Sequence, residues 1–181
     1  MIDVIDPDRA GERLRRAYEL ADEIGSHQQA TSITMFLAIH ELHAGDDAAA
    51  AHWARRSLQL AVDHGPTYIA QAIDTAVAIS RRRSTQEAAV LLGALRAHRE
   101  RRGQDGTQVE IDAEARAESS LRRQLGEQFD DLYGQGHTFD DSAMLALAFV
   151  QLDAAAGASI AETDGPQVGR DPTHRPPQNA R

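Results

Sequence analysis

The richest chemistry in this sequence lies in its histidines, and the densest cluster of them is His40-Glu41-Leu42-His43. A zinc-hydrolase helix places His at i and i+4, with a Glu between them as base and a third ligand elsewhere. Here the spacing is i and i+3 and no nearby Asp completes a set, so these read as ordinary helix-surface histidines and no metal is expected. His64 and His98 fall near expected helix C-termini, where the negative end of the dipole accounts for an imidazole. Paired carboxylates at Asp46-Asp47, Asp130-Asp131 and Asp140-Asp141 could do general acid–base work. Each pair adjoins a helix start or turn, however, where an acidic side chain caps free N–H groups. There is no GxSxG elbow and no SxxK. The chain has no cysteine, and all 19 basic residues are arginine. That excludes disulfides, thiolate catalysis, Cys-ligated zinc, Schiff-base lysines and the P-loop lysine. No cofactor and no enzymatic activity are expected.

The basic runs are Arg81-Arg82-Arg83 and Arg99, Arg101 and Arg102, at the ends of two consecutive predicted helices. If those helices pack together, six arginines form one patch that could touch phosphate, and the chain would be a transcriptional regulator contacting DNA directly. Against this stand a net charge of -9, a pI near 5.3 and too few aromatics to stack bases. Nucleic acid is therefore not the expected partner. Met1 to Asp6 has an acidic flank and no apolar core of a signal peptide, and no stretch approaches the roughly eighteen uninterrupted apolar residues of a membrane span. The expectation is a cytoplasmic protein with no membrane contact.

The elements that must position these groups are helical nearly everywhere. Apolar residues recur at spacings of three and four, and strand-like alternation is almost absent, which predicts an all-α protein. Roughly thirty alanines against 4% aromatics predict thin, closely packed helices. The expected helices run over 7–24, 26–44, 46–64, 67–82, 84–102, 109–126, 127–135 and 140–156. Asp6 caps the first, with Pro7 at its first position, and Ser84 with Glu87 reads as a capping box. Gly25, Gly45, Gly65 and Gly103 read as stops, with Gly106, Gly126, Gly134 and Gly136 as further punctuation. From Gly157 to Arg181, Gly and Pro accumulate and large apolar residues vanish, so residues 157–181 are expected to be a disordered tail following a 1–156 helical-repeat domain.

Setting the helices over one another exposes a repeat. Asp6, Ala10, Leu14, Leu20, Ala21 and Gly25 lie forty residues before Asp46, Ala50, Ala54, Leu60, Ala61 and Gly65, and Ser84, Ala88, Leu92 and Gly103 give a third copy. In each copy a capping residue precedes a small alanine by four, and a glycine closes the helix nineteen residues after the cap. A helix pair of about forty residues is the unit of an α-solenoid.

At Leu37-Ala38, Gly45-Asp46, Ala50, Ala54 and Leu58-Gln59-Leu60 the second unit resembles a tetratricopeptide repeat, departing from it at Glu41, where an aromatic is usual. A further resemblance rests on Glu87 to Ala94, Leu121 to Gly126, Phe129, Tyr133, Gly136, Phe139 and Asp141 to Leu147. These residues are similar to the C-terminal end of the helical-repeat region in large actinobacterial regulators, which join a signal-transduction ATPase to LuxR-type, transcriptional activator or adenylate cyclase domains. The resemblance implies a right-handed tetratricopeptide-like superhelix of antiparallel helix pairs and a regulatory, protein-contacting role. No GxxxxGK[ST] accompanies it and nothing after Leu152 resembles a helix-turn-helix, so the ATPase and DNA-binding parts of that family are absent. The first helix has no preceding partner, as expected of a piece of a larger ancestor.

The expected function is a non-enzymatic interaction module. By the geometry of such repeats its concave face would carry Ser32, Met35, Ile39 and His43 from one unit and Ala70, Ile73, Val77 and Arg81 from the next, taking a protein, a peptide or a second copy. Leu14, Tyr18 and Leu20 on the first helix form a stripe wider than one neighbour covers, with Ile2, Val4 and Ile5 as the only local shield. Self-association is expected there.

Overall fold

The computed structural model describes residues 7–65 and 68–163. It is all-α: α1 Pro7–Glu23, α2 His27–Ala44, α3 Asp47–His64, α4 Ile69–Arg83, α5 Thr85–Arg102, α6 Gln108–Leu125, α7 Gln128–His137 and α8 Asp141–Thr163, with no strand among the described residues. Each expected helix is present. Gly45 and Gly103 end α2 and α5 in the left-handed region, at φ 86° and 61°, where a side chain is disfavoured and Gly is not.

The ends correct several expectations. Asp46 caps α3 by accepting from Ala49 N–H, as its position predicts. Ser84 makes no side-chain cap, so the expected box with Glu87 is not formed; the box is at Thr107 and Glu110, ahead of α6. Gly134 and Gly136 lie inside α7 and stop nothing. Helix α8 continues past Gly157 to Thr163. The expected tail from 164 onward, the cap Asp6 and the Ile2–Ile5 segment lie outside the described residues.

Helices α1 to α5 pack in chain order, each against the next, through small residues such as Ala38, Ala50, Ala54, Ala72, Ala76 and Ala88. Alanine at the crossings lets helix axes approach closely. The second half departs from this chain order. Helix α7 lies on α5 rather than chiefly on α6, and α8 runs back across α3, α4 and α5. In a linear array each unit touches only its neighbours, so α8 closes the array instead of extending it. Its inward residues Met144, Ala148, Leu152 and Ala155 enter the main core with Leu91, Leu95 and Phe129. Consequently α4 and α5 are buried on almost every side, the condition under which helices carry apolar residues all round.

Candidate interaction surface

Helix α2 divides into two rows. Ala30, Thr31, Thr34, Leu37, Ala38, Glu41 and Leu42 are buried against α1 and α3. On the other side, at helical spacing, stand Ser32, Met35, Phe36, Ile39 and His43. Phe36 is 51% and Ile39 36% exposed, Ser32 and Met35 are half-buried and His43 is exposed. Four of the expected partner residues therefore share one outward, largely apolar face. Phe36 is absent from the expected row, although its place four residues after Ser32 and three before Ile39 meets the same spacing.

The α4 half of that surface is corrected. Ala70, Ile73 and Val77 are buried, because α8 and the flanking helices cover the side an open array would leave free. Arg81, half-buried at the end of α4, lines a separate groove with α6. On α1, Tyr18 is half-buried: its ring meets Trp53 edge-on at 5.4 Å and its Oη accepts from Arg56 Nε at 3.1 Å. Leu14 is half-buried, while Leu20 at 45% and its neighbour Ile24 at 72% exposure remain open.

The six-arginine patch does not form. Arg82 pairs with Asp47 at 2.7 Å and Arg99 is buried between Asp74, at 2.6 Å, and Glu114, at 2.9 Å. Arg101 and Arg102 donate to Asp141 at 2.8 and 3.1 Å. Only Arg81 and Arg83 are left of the six without an ion pair among the described residues.

Two charged clusters at the far end of α5 explain where these cations go. At the start of α8, Asp141 accepts from Arg101, Arg102 and His98 Nδ1, the last at 2.8 Å with its imidazole fully buried. Burial alone would raise the Asp141 carboxyl, but the bonds from Arg101, His98 and Arg102 outweigh it and hold it well below the ordinary carboxylate range. Asp140, beside it, caps α8 through Ala143 N–H. Around Arg99, one guanidinium faces two carboxylates. Burial pushes Asp74 up to about 7 against the pull of Arg99, with Glu114 and Glu110 adding to the rise, and Glu114 is raised for the same reason.

Among the histidines, His40 packs its ring against Gly11 of α1, and Glu41 accepts from Arg15, which ties α1 to α2. His64 stacks on His27 with centroids 3.6 Å apart, at a cleft of about 500 Å³ that also holds Ser26, Gln28, Thr31 and Tyr68. No carboxylate lines that cleft to orient an imidazole as base, so it offers two stacked rings and hydroxyls rather than a relay. No group of three or more His, Asp or Glu among the described residues is arranged to hold a metal ion, and no helix there is long and apolar enough to cross a membrane. Comparison with protein-family models, curated proteins and solved structures finds no match to this chain.

Proposed function

We propose that the chain is a non-enzymatic protein-binding module whose recognition surface is the outward row of α2: Ser32, Met35, Phe36, Ile39 and His43. The observation behind this reading is that α2 is apolar on both sides. Its inner row is fully used in the core, and its outer row keeps Phe36 and Ile39 in water with a flexible Met beside them. Isolated surface apolar residues need no explanation, but a contiguous helical row fits the helix-in-groove or helix-on-helix mode of recognition. Its ligand is an apolar peptide, a helix or a second copy of the chain. The resemblance to the repeat region of actinobacterial ATPase-linked regulators supplies the context: a cytoplasmic contact portion of regulatory, signal-transducing type.

The test is a photo-reactive residue placed at position 36 in the host, with Val150 on α8, 61% exposed, as a control position. A discrete covalent adduct at 36, absent at 150 and abolished by Ile39→Glu, is expected. Equal labelling at both positions, or none at 36, overturns the reading. Sedimentation velocity of wild type against a Phe36→Glu, Ile39→Glu double variant distinguishes a second copy from a foreign partner.

A further inference from the structure

Ten of the sixteen arginines among the described residues are matched to carboxylates, and three that are not stand together. Arg81 at the end of α4 and Arg116 and Arg123 of α6 line one groove of about 490 Å³ together with Ala115, Ser119 and Ser120. Among the described residues none of the three arginines has an ion pair, although the chain carries 28 carboxylates, and no carboxylate lines the groove. Spacing explains the gathering: on α6, positions 116, 119, 120 and 123 are i, i+3, i+4 and i+7, one face over two turns. Arg116 and Arg123 are exposed, whereas Arg81 is half-buried and its Nε lies out of water with no hydrogen-bond acceptor. A buried guanidinium N–H without an acceptor is costly, and an oxyanion is the acceptor for which the group is shaped.

The two serines point the same way. Four helical hydroxyls elsewhere in this chain return their proton to the backbone one turn earlier: Thr31 to His27, Ser32 to Gln28, Thr34 to Ala30 and Thr75 to Gln71. Ser119 and Ser120 do the opposite, accepting from Arg123 Nη1 and Gln124 Nε2, each at 3.1 Å. A hydroxyl that accepts keeps its own proton to give. The groove therefore offers three guanidinium forks and two O–H donors, with Arg123 held in place by Ser119.

We infer that this groove is a binding site for a phosphate monoester dianion carried by a small molecule. Arginine forks and hydroxyls match the three non-bridging oxygens of a phosphate monoester, and the volume lies in the small-ligand range of about 300–1,000 Å³. Nucleic acid fits less well, since no aromatic ring lines the groove for stacking, three cations are few for a backbone track, and the molecule around it is negative. The site is independent of the proposed protein-binding face, to which neither α4 nor α6 contributes.

The test uses the full chain, calorimetric titration with inorganic phosphate and with phenyl phosphate, and chloride adjusted to hold ionic strength constant. Saturable binding of both is expected, weakened about tenfold or more in Arg116→Gln, Arg123→Gln, where two charge-assisted contacts are lost. Both residues are exposed, so helicity and thermal midpoint should not change; Arg81→Gln supplies a separate variant on another helix with the same expected loss. Heat that tracks ionic strength alone, or affinity unchanged in both variants, overturns the site. Loss in the variants of binding to a short DNA duplex, with no phosphate or phenyl phosphate binding in wild type, also overturns it.

Discussion

The two halves of this molecule are built of the same residues and held together differently. From α1 to α4 the helices stack in chain order, and what recurs at their crossings is a methyl group: Ala30, Ala38, Ala50, Ala54, Ala61. Polar links there include an exposed pair, Arg56 with Asp22 at 3.8 Å, and a buried bond from Ser57 to the Thr31 carbonyl at 3.1 Å. From α5 to α8 the closest crossing has no side chain at all, because Gly93 and Gly136 face each other's helix backbones. Charge gathers at the helix ends, on Arg99 and on Asp141. A repeated small residue gives a regular spacing that tolerates local adjustment. One glycine-to-backbone contact gives a unique register that does not.

The largest expected effect tests that difference directly. A Cβ on Gly136 would lie 1.8 Å from the Val90 carbonyl oxygen, and one on Gly93 2.1 Å from that of Tyr133. The atoms met are backbone in the middle of packed helices, so neither can turn aside. Gly136→Ala should cost about 3 kcal/mol or more, lowering the thermal midpoint by roughly 6–12 °C for a chain of this length. In the first half, a Cβ on Gly11 would meet only the His40 ring, at 2.6 Å, and that ring can rotate. Gly11→Ala should cost under about 1 kcal/mol, offset in part by better helix propensity. Equal losses in the two variants would erase the distinction.

The next effect concerns the charged helix ends. Asp141→Ala removes the acceptor of a fully buried His98 N–H, while Arg101 and Arg102 remain wet enough to be solvated. The expected cost is about 2 kcal/mol, arising mostly at His98 and reduced by screening at the two arginines. Arg56→Gln, which breaks an exposed pair in the first half, should change stability by less than about 1 kcal/mol. Chemical denaturation of the two variants side by side reads this. Because the folded Asp141 carboxyl titrates below its unfolded value, its contribution is present above about pH 4 and fades as the pH falls further.

Sequence reasoning reaches the first half further than the second, for a physical reason. Periodicity, caps and stops are local, so all eight helices are legible from apolar, alanine and glycine positions alone. The return of α8 across α3, α4 and α5 is not a periodic property. It turns Ala70, Ile73 and Val77 from an expected surface into core, and the one signal within α4 is that its apolar residues run nearly all round the helix. The outward row of α2 was legible because no later helix covers it. The arginine groove was not, since Arg81 is separated from Arg116 by the whole of α5; the one sequence signal is the single-face spacing of Arg116, Ser119, Ser120 and Arg123.

A pH-dependent effect belongs to the Arg99 cluster, which has no counterpart in the first half among the described residues. The folded protein holds a proton on Asp74 up to about pH 7, whereas the unfolded chain releases it near pH 4. The folded state thus binds more protons across that window, and stability must fall as the pH rises through it. On those values the expected fall between pH 4.5 and 7.5 is at most about 3 kcal/mol, or about 6–12 °C, and Asp74→Asn should flatten it by keeping a neutral group beside Arg99. Thermal midpoints between pH 4.5 and 7.5 decide the matter; a variant that keeps the wild-type slope places the titration on another group.

The smallest effect is at the helix starts, where two sequences of the same type behave differently. Ser84-x-x-Glu87 and Thr107-x-x-Glu110 both have the form of a capping box. At Thr107 the box is closed: Glu110 N–H donates to Thr107 Oγ1 at 3.4 Å, and Thr107 N–H donates to Glu110 Oε2 at 2.6 Å. At Ser84 the side chain caps nothing; its backbone N–H continues from α4 by donating to the Ser80 carbonyl at 2.8 Å, so one residue ends one helix and begins the next. The difference follows from what precedes each position. Thr107 comes after the Gly103–Gly106 connection and can adopt whatever backbone the cap requires, whereas Ser84 is tied to the last turn of α4. Thr107→Ala should therefore cost about 0.5–1 kcal/mol, and Ser84→Ala no more than a few tenths, although a pattern match ranks the two alike. Hydrogen exchange at the amides of Glu110 and Glu87 locates the effect: faster exchange at Glu110 in Thr107→Ala, with Glu87 unaltered in Ser84→Ala, is the expected pair of results. A loss at Ser84 equal to that at Thr107 would mean that its hydroxyl caps α5 in solution and that the α4–α5 junction is looser than the continuous backbone bond implies.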